Sequence, residues 1–430
     1  MASEGPERRG PYPGLVPYGE EDAGYFFGRE GARRAVIDNL VAYRITVLYG
    51  PSGVGKSSLL RAGVVHDLRE AARRHAEEGR PPEHAVVVFG SWTADPLAGL
   101  IGAIREVVPA AEVPGDSLTA AITAAAEHLG APLLIILDQF EEYFLYHPRG
   151  EALGSFDAEL ARAVARRDIP ANFLISIRED ALAGLDRFDE RIPGLLDNLF
   201  RVDHLDRAAA GDAIERPLGV WSELGAGGPT RAEPGLVEAL LDQEHSLRAR
   251  EEGVGTADRI RTPYLQLVLA RLWAEEAKTG SEVLRLSTLE ALGGAERIVA
   301  THLDEAMATL TPREQRVAVR IFRHLVTPSG MKIAQQSADL AEYAAVPEPA
   351  VAAVLERLTD ARILQALGDS RYEIYHDALA EPILEWRRRW VRRHARRQAQ
   401  LRLIATVGLA AVVLAALAFA GSLGDLELST

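Results

Sequence analysis

The apolar residues of the first two hundred positions gather into short, nearly unbroken runs. Arg44–Tyr49, Ala85–Phe89, Leu133–Leu137, Phe173–Ile177 and Leu199–Leu205 are strand-like, and segments such as Leu97–Val107 and Leu118–Leu129 carry helical spacing between them. A helical pattern over about Arg29–Tyr43 precedes the first run. Strands apolar on both faces and alternating with helices predict a parallel sheet covered on both sides. After Asp206 the strand pattern stops. Residues 206–300 read as helices interrupted by Gly225-Ala226-Gly227-Gly228-Pro229 and by the charged stretch Arg248–Gly255. Thr311-Pro312 is a helix start, with Thr as cap and Pro in the first turn. Helices over about 312–326, 331–343 and 349–360 then lead into Ile363–Leu367, Gly368-Asp369-Ser370 and Tyr372–Tyr375, a hairpin. The pattern predicts an α/β domain over 1–205, a helical domain over 206–300 and a winged helix over 301–386.

A different pattern closes the chain. Leu403–Gly421 is 19 residues without a charge, about 28 Å as a helix, which predicts a transmembrane span. Arg387, Arg388, Arg389, Arg392, Arg393, Arg396, Arg397 and Arg402 precede it, whereas Asp425 and Glu427 follow. That asymmetry places the preceding domains in the cytoplasm, and the basic segment 387–402 is suited to anionic lipid headgroups. Trp386 and Trp390 are either interfacial anchors or packing residues of the winged helix.

The chain has 430 residues, enough for two to four domains. It has no cysteine, so disulfides, thiolate metal sites and cysteine nucleophiles are excluded. Residues 1–19 hold no apolar core of signal-peptide length. The net charge of −14 conceals a balance of +6 over residues 387–430, leaving −14 − 6 = −20 on the rest. So acidic a body disfavours nucleic acid as a general partner. The third helix of the expected winged helix, about Glu348–Asp360, has Glu348, Glu356 and Asp360 against Arg357, which favours a packing or switch role over reading DNA.

Chemistry concentrates where the first strand ends. Gly50-Pro51-Ser52-Gly53-Val54-Gly55-Lys56-Ser57 fits G-x-x-x-x-G-K-[ST], between a predicted strand and a predicted helix. The glycines let backbone N–H groups, as far as Ser58, converge on phosphate oxygens at a helix N-terminus. Lys56 would meet the β- and γ-phosphates, and the Ser57 hydroxyl would face Mg²⁺. Leu133–Leu137 runs into Asp138, a carboxylate at a strand end that would hold Mg²⁺, through water. Glu141 and Glu142 follow. One would polarise the attacking water, and Glu142 is favoured, although spacing does not decide between them. Arg178 ends another strand, where it would either read the γ-phosphate or pair with Glu179 or Asp180.

With these residues in place, the chain resembles the STAND-class NTPases, signal-transducing ATPases with numerous domains, and most of all their bacterial novel STAND branch, related to the NACHT and NB-ARC switches. The likeness covers roughly residues 11–390. It is carried by Pro11-Tyr12-Pro13-Gly14-Leu15, Phe26-Phe27-Gly28-Arg29-Glu30, the phosphate loop, Asp138-Gln139-Phe140-Glu141-Glu142, Ser176-Ile177-Arg178, Pro263-Tyr264-Leu265-Gln266 and His376-Asp377. It implies that Phe27, Gly28 and Arg29 lie beside the adenine, that Arg178 senses the nucleotide, and that the last glutamate is the base. It implies that a proline of the helical domain, Pro263 or Pro217, closes on the nucleotide. It also implies that His376 touches the ADP β-phosphate and latches the inactive form. The expected activity is an ADP-off, ATP-on switch with slow hydrolysis that forms homo-oligomers when activated by an unknown trigger protein. Only nine residues follow Gly421, so either a sensor domain is missing or the membrane span is itself the output, as in phage defence or programmed cell death. The alternatives are a housekeeping P-loop ATPase and a membrane-tethered transcription regulator.

Overall fold

The structure is a computed structural model and describes residues 10–109, 113–115, 117–147, 155–225, 227–252, 259–327, 332–367, 370–375 and 379–394. His376, Arg396, Arg397, Arg402 and the apolar run 403–421 lie outside the described residues. Among those described, no helix is long and apolar enough to cross a membrane.

The first half is a parallel sheet with helices on both faces. In chain order it comprises α1 (Glu30–Ala42), β1 (Ile45–Gly50), the continuous helix α2, β2 (Ala85–Phe89), α3 (Pro96–Val107), α4 (Leu118–Leu129), β3 (Leu133–Leu137), α5 (Phe140–Tyr146), α6 (Phe156–Ala165), β4 (Ala171–Arg178) and β5 (Leu199–Arg201). α2 joins Lys56–Ser58, a π-helical stretch Leu59–Val65 and His66–Glu77. The strand order is β2-β3-β4-β1-β5. β4 therefore lies between β1 and β3, and its last residue, Arg178, is level with Gly50.

The apolar runs form strands because both of their faces are covered. All five residues of β3 are buried. Val36, Leu40, Leu48, Leu59, Leu60, Leu134, Ile136 and Leu174 fill one side of the sheet, and Val47, Leu100, Ile104, Ile122, Leu133, Ile135 and Phe173 fill the other. Each such side chain contributes about 1.5–3 kcal/mol relative to exposure. The expected strand Phe173–Ile177 extends to Ala171–Arg178 because it has a partner on each side. The expected strand Leu199–Leu205 stops at Arg201. It is an edge strand paired only with β1, and its residues are largely exposed.

The second half is mainly helical. α7 (Arg207–Glu223) is capped by Asp206, whose carboxylate accepts from the Ala209 N–H at 2.8 Å. Then come α8 (Leu236–Glu252), α9 (Thr262–Lys278) and α10 (Ala295–Ala308). α11 (Pro312–Leu325) opens with the capping box of Thr311 and Glu314, as its sequence predicts. β6 (Gln335–Gln336), α12 (Ser337–Ala344), α13 (Glu348–Asp360), β7 (Leu364–Leu367), β8 (Arg371–Ile374) and helix α14 (380–394) complete the fold. The helix expected from 331 begins only at Ser337, because Gln335 and Gln336 pair antiparallel with Tyr372 and Arg371. They add a third strand, in the order β6-β8-β7. One apolar core runs from Leu205 through the helices to Trp386 and takes in Tyr12 and Leu15 of the N-terminal segment. Trp386 is buried edge-on against Phe322, with ring centres 6.2 Å apart.

Candidate functional site

A single cleft gathers residues from distant parts of the chain: the N-terminal segment, the loop after β1, the ends of β3 and β4, the start of α9, and the small C-terminal sheet with its flanks. The loop after β1 owes its shape to its glycines. Gly53 and Gly55 have φ of +72° and +92°, where a side chain would strain the backbone. At Gly50 a Cβ would stand 2.3 Å from the Val202 carbonyl oxygen, so the loop can leave the sheet only as glycine. The N-terminus of α2 faces the cleft, with Lys56 and Ser57 at its rim. Lys56 Nζ donates to the carbonyls of Gly50 at 3.0 Å and Pro51 at 3.2 Å. Burial pushes its pKa down, against the pull of Glu141 and Asp138.

Asp138 also lines the cleft and is 1% exposed. Its position is set by three contacts. The Asp138 N–H donates to Phe89 O at 2.8 Å, its carbonyl accepts from Trp92 Nε1 at 2.8 Å, and Oδ1 accepts from the Gln139 N–H at 3.0 Å. Trp92 is itself fully buried among Phe89, Phe140, Tyr143 and Phe156. The other carboxylate oxygen, Oδ2, is buried without a hydrogen-bond partner, and its nearest cation, Arg61, stands 4.0 Å away. A buried, unmatched carboxylate oxygen in a cleft that Ser57 also lines fits a hard, water-carrying cation such as Mg²⁺.

The two glutamates point differently. Glu141 lines the cleft and accepts from the Arg178 N–H at 3.1 Å. Burial raises its pKa, although Lys56 opposes the rise. Glu142 lies outside the cleft lining, toward Glu373 and Lys332 of the C-terminal unit. Burial, reinforced by Glu373, pushes its pKa to about 8. Both lie in helix α5 and not in an extended segment, so strand alternation does not apply; Glu141 lines the cleft and Glu142, the residue favoured from sequence, does not. Arg178 lines the cleft and forks onto Asp180, at 2.8 and 3.0 Å, the ion pair that was one of its two sequence readings.

Arg29 lines the cleft and donates to Val54 O at 2.8 Å and Asp203 O at 2.6 Å. Burial lowers its pKa to about 10. Phe27 lines the cleft and carries the Arg216 guanidinium 4.1 Å from its ring centre. Gly28 lies outside the lining, at φ +82°, where a Cβ would meet Ala209 O at 2.3 Å. Gly50 is likewise behind the lining, and Ser58 accepts from the Tyr18 N–H at 3.1 Å. Pro263 stands at the start of α9 and lines the cleft, whereas Pro217 is buried inside α7 away from it.

Several lining residues escaped sequence reasoning. Thr262 Oγ1 donates to Gly53 O at 3.0 Å, joining the helical unit to the phosphate loop. Lys332, Gln365 and Tyr375 reach the cleft from the C-terminal unit. Lys332 and Gln365 both donate to the Glu373 carboxylate. Tyr375 is the residue before His376, which lies outside the described residues.

The parallel sheet, the glycine-shaped loop at the N-terminus of α2 and the acid at the end of β3 define a P-loop NTPase. A family model for novel STAND NTPase 1 matches residues 11–407, and the chain belongs to that family. Among solved structures it is similar to the Walker-type ATPase of Pyrococcus abyssi, with 19% identity, 86% of this chain and 98% of that one covered, and a TM-score of 0.42. It is also similar to the ORC1 protein of Aeropyrum pernix in complex with DNA, with 16% identity, 86% and 95% covered, and a TM-score of 0.47. No curated protein matches.

Proposed function

We propose that the chain is a nucleotide-controlled switch that holds ATP or ADP in this cleft and hydrolyses ATP slowly. The observation that carries the reading is the shared lining. Lys332, Gln365 and Tyr375, nearly three hundred residues beyond the phosphate loop, face the same space as Lys56 and Ser57. A nucleotide there would touch both halves, so its phosphate count would bias how they meet.

Each residue has a role that its position supports. Backbone N–H groups from Ser52 to Ser58 would cradle the phosphates, and Lys56 would leave the loop carbonyls for the β- and γ-phosphates. Ser57 and Asp138 would hold Mg²⁺, which when bound neutralises phosphate charge. Phe27, Tyr25, Pro17 and Pro263 offer apolar walls for the base. In hydrolysis a water oxygen bonds to the γ-phosphorus, the bond to the β–γ bridging oxygen breaks, and the water proton passes to a carboxylate. Glu141, with its raised pKa and its place beside Lys56, is better sited for that proton than Glu142. Arg178 would meet charge building on the γ-phosphate after releasing Asp180.

The three helices and antiparallel sheet of residues 312–374 support a winged-helix reading, acting as a closing cap. His376 would join that cap. Residues 403–421 would anchor the protein in the cell membrane with the NTPase in the cytoplasm, and the ATP form would homo-oligomerise. The nucleotide released on denaturing the purified protein tests the switch. One bound ADP per chain with slow basal turnover is expected; an empty site with rapid turnover would refute it.

A further inference from the structure

α11 carries a feature outside the nucleotide site. Arg313, Arg316, Arg320 and Arg323 recur at spacings of three, four and three residues, and all four are exposed. On a helix that spacing forms one stripe, about 15 Å long from first to last. The opposite face, Val317, Ala318, Ile321, Phe322 and Leu325, is buried in the core, so the orientation of the stripe is fixed. None of the four has a carboxylate partner among the described residues; Arg320 donates only to the Ala344 carbonyl. Glu314, the one acid in this helix, is occupied by Thr311 and Arg357.

A second element extends the stripe. Phe322 and Trp386 pack edge to face, which brings the next residue of each helix, Arg323 and Arg387, side by side. Burial and the neighbouring Arg323 and Arg388 lower the Arg387 pKa, the sign of like charges held together. Arg323 and Arg387 do the same to His324, after burial. Acids on α14 leave this end uncompensated: Glu381 pairs with Arg388 at 3.5 Å, and Glu385 is turned about 200° from Arg387 on the helix. Folded proteins rarely gather so many unpaired arginines without an anionic partner.

We propose that the stripe of α11, extended by Arg387, is a docking surface for the phosphate headgroups of an anionic lipid bilayer. The proposal rests on the membrane reading above, because α14 leads toward the uncharged run 403–421 and would bring α11 to the same surface. A bilayer is favoured over nucleic acid because α14, which carries Arg387, leads in sequence to the uncharged run 403–421, a feature that suits a hydrocarbon core and not a nucleic acid. Headgroup attraction adds about fivefold in partitioning per near-surface arginine.

The test uses the full chain in nanodiscs of phosphatidylcholine, with and without one quarter phosphatidylglycerol. Hydrogen exchange is followed over 312–325 and 380–394. Phosphatidylglycerol should slow exchange in both helices, and the double variant R313Q/R316Q should abolish the slowing without changing ADP affinity. Equal exchange in the two lipids would overturn the proposal. Failure to enter nanodiscs would count against the apolar run alone. Cosedimentation with phosphatidylglycerol vesicles then decides for the stripe: about 25-fold weaker binding by the double variant supports it, and equal binding overturns it. Retention of duplex DNA that the same variant loses, with no lipid effect, would assign the stripe to nucleic acid. Suppression of the lipid effect by millimolar glycerol phosphate would assign it to a soluble phosphate.

Discussion

Glu142 ties the stability of the fold to pH. Its side chain is wedged between the NTPase unit and the C-terminal sheet, with Glu373, Glu141 and Asp138 around it and Lys332 the opposing cation. Lys332 is already committed to Glu373. The carboxyl therefore prefers its neutral form, with a pKa raised from 4.5 to about 8, first by burial and then by Glu373. A raised carboxyl pKa stabilises the fold below about pH 4.5, and that contribution is lost as pH rises toward 8. The interval spans about 3.5 pH units at about 1.4 kcal/mol each, which sets a ceiling of about 5 kcal/mol. Glu142→Gln keeps the shape and removes the titration. Urea midpoints measured from pH 5 to pH 9 should fall more steeply in the wild type than in E142Q, with the two curves diverging most between pH 5 and 8. Parallel curves would show that Glu142 is solvated and that the C-terminal sheet does not cover it.

Other consequences follow from single contacts. Leu174→Ala empties a fully buried position of the central strand and should cost about 2–5 kcal/mol in denaturant unfolding. Trp92→Phe removes the N–H that holds the Asp138 carbonyl; a tenfold or greater rise in the Mg²⁺ concentration needed for half-maximal turnover is expected, with far-ultraviolet dichroism unchanged. Thr262→Val cuts the hydrogen bond between the helical unit and the phosphate loop, worth about 1 kcal/mol, and should weaken ADP about fivefold in a fluorescence titration.

What the sequence disclosed and what it hid have the same cause. β1 to β4 were legible because both faces of each strand are covered, so their residues are nearly all apolar, and the phosphate loop was legible because its glycines are set by local backbone geometry. β6 was hidden because Gln335 and Gln336 have no apolar alternation; they are strand only because β8 lies beside them. The cleft lining divided the same way. Lys56, Asp138 and Arg178 belong to local motifs, but Lys332, Gln365 and Tyr375 reach the cleft through long-range packing that leaves no spacing to read. Which of Glu141 and Glu142 lines the cleft depends on the turn after β3. Gln139 takes a left-handed conformation, φ +54°, and starts α5 so that Glu141 faces the loop.

Isothermal titration of Lys56→Ala with ADP and with ATP, beside the wild type, tests the nucleotide-switch reading most directly. Lys56 donates to two loop carbonyls that a phosphate would replace, and charge-assisted bonds of this kind are worth about 1.5–3 kcal/mol. Both nucleotides should therefore bind at least tenfold more weakly to the variant; unchanged affinity for either would contradict the account.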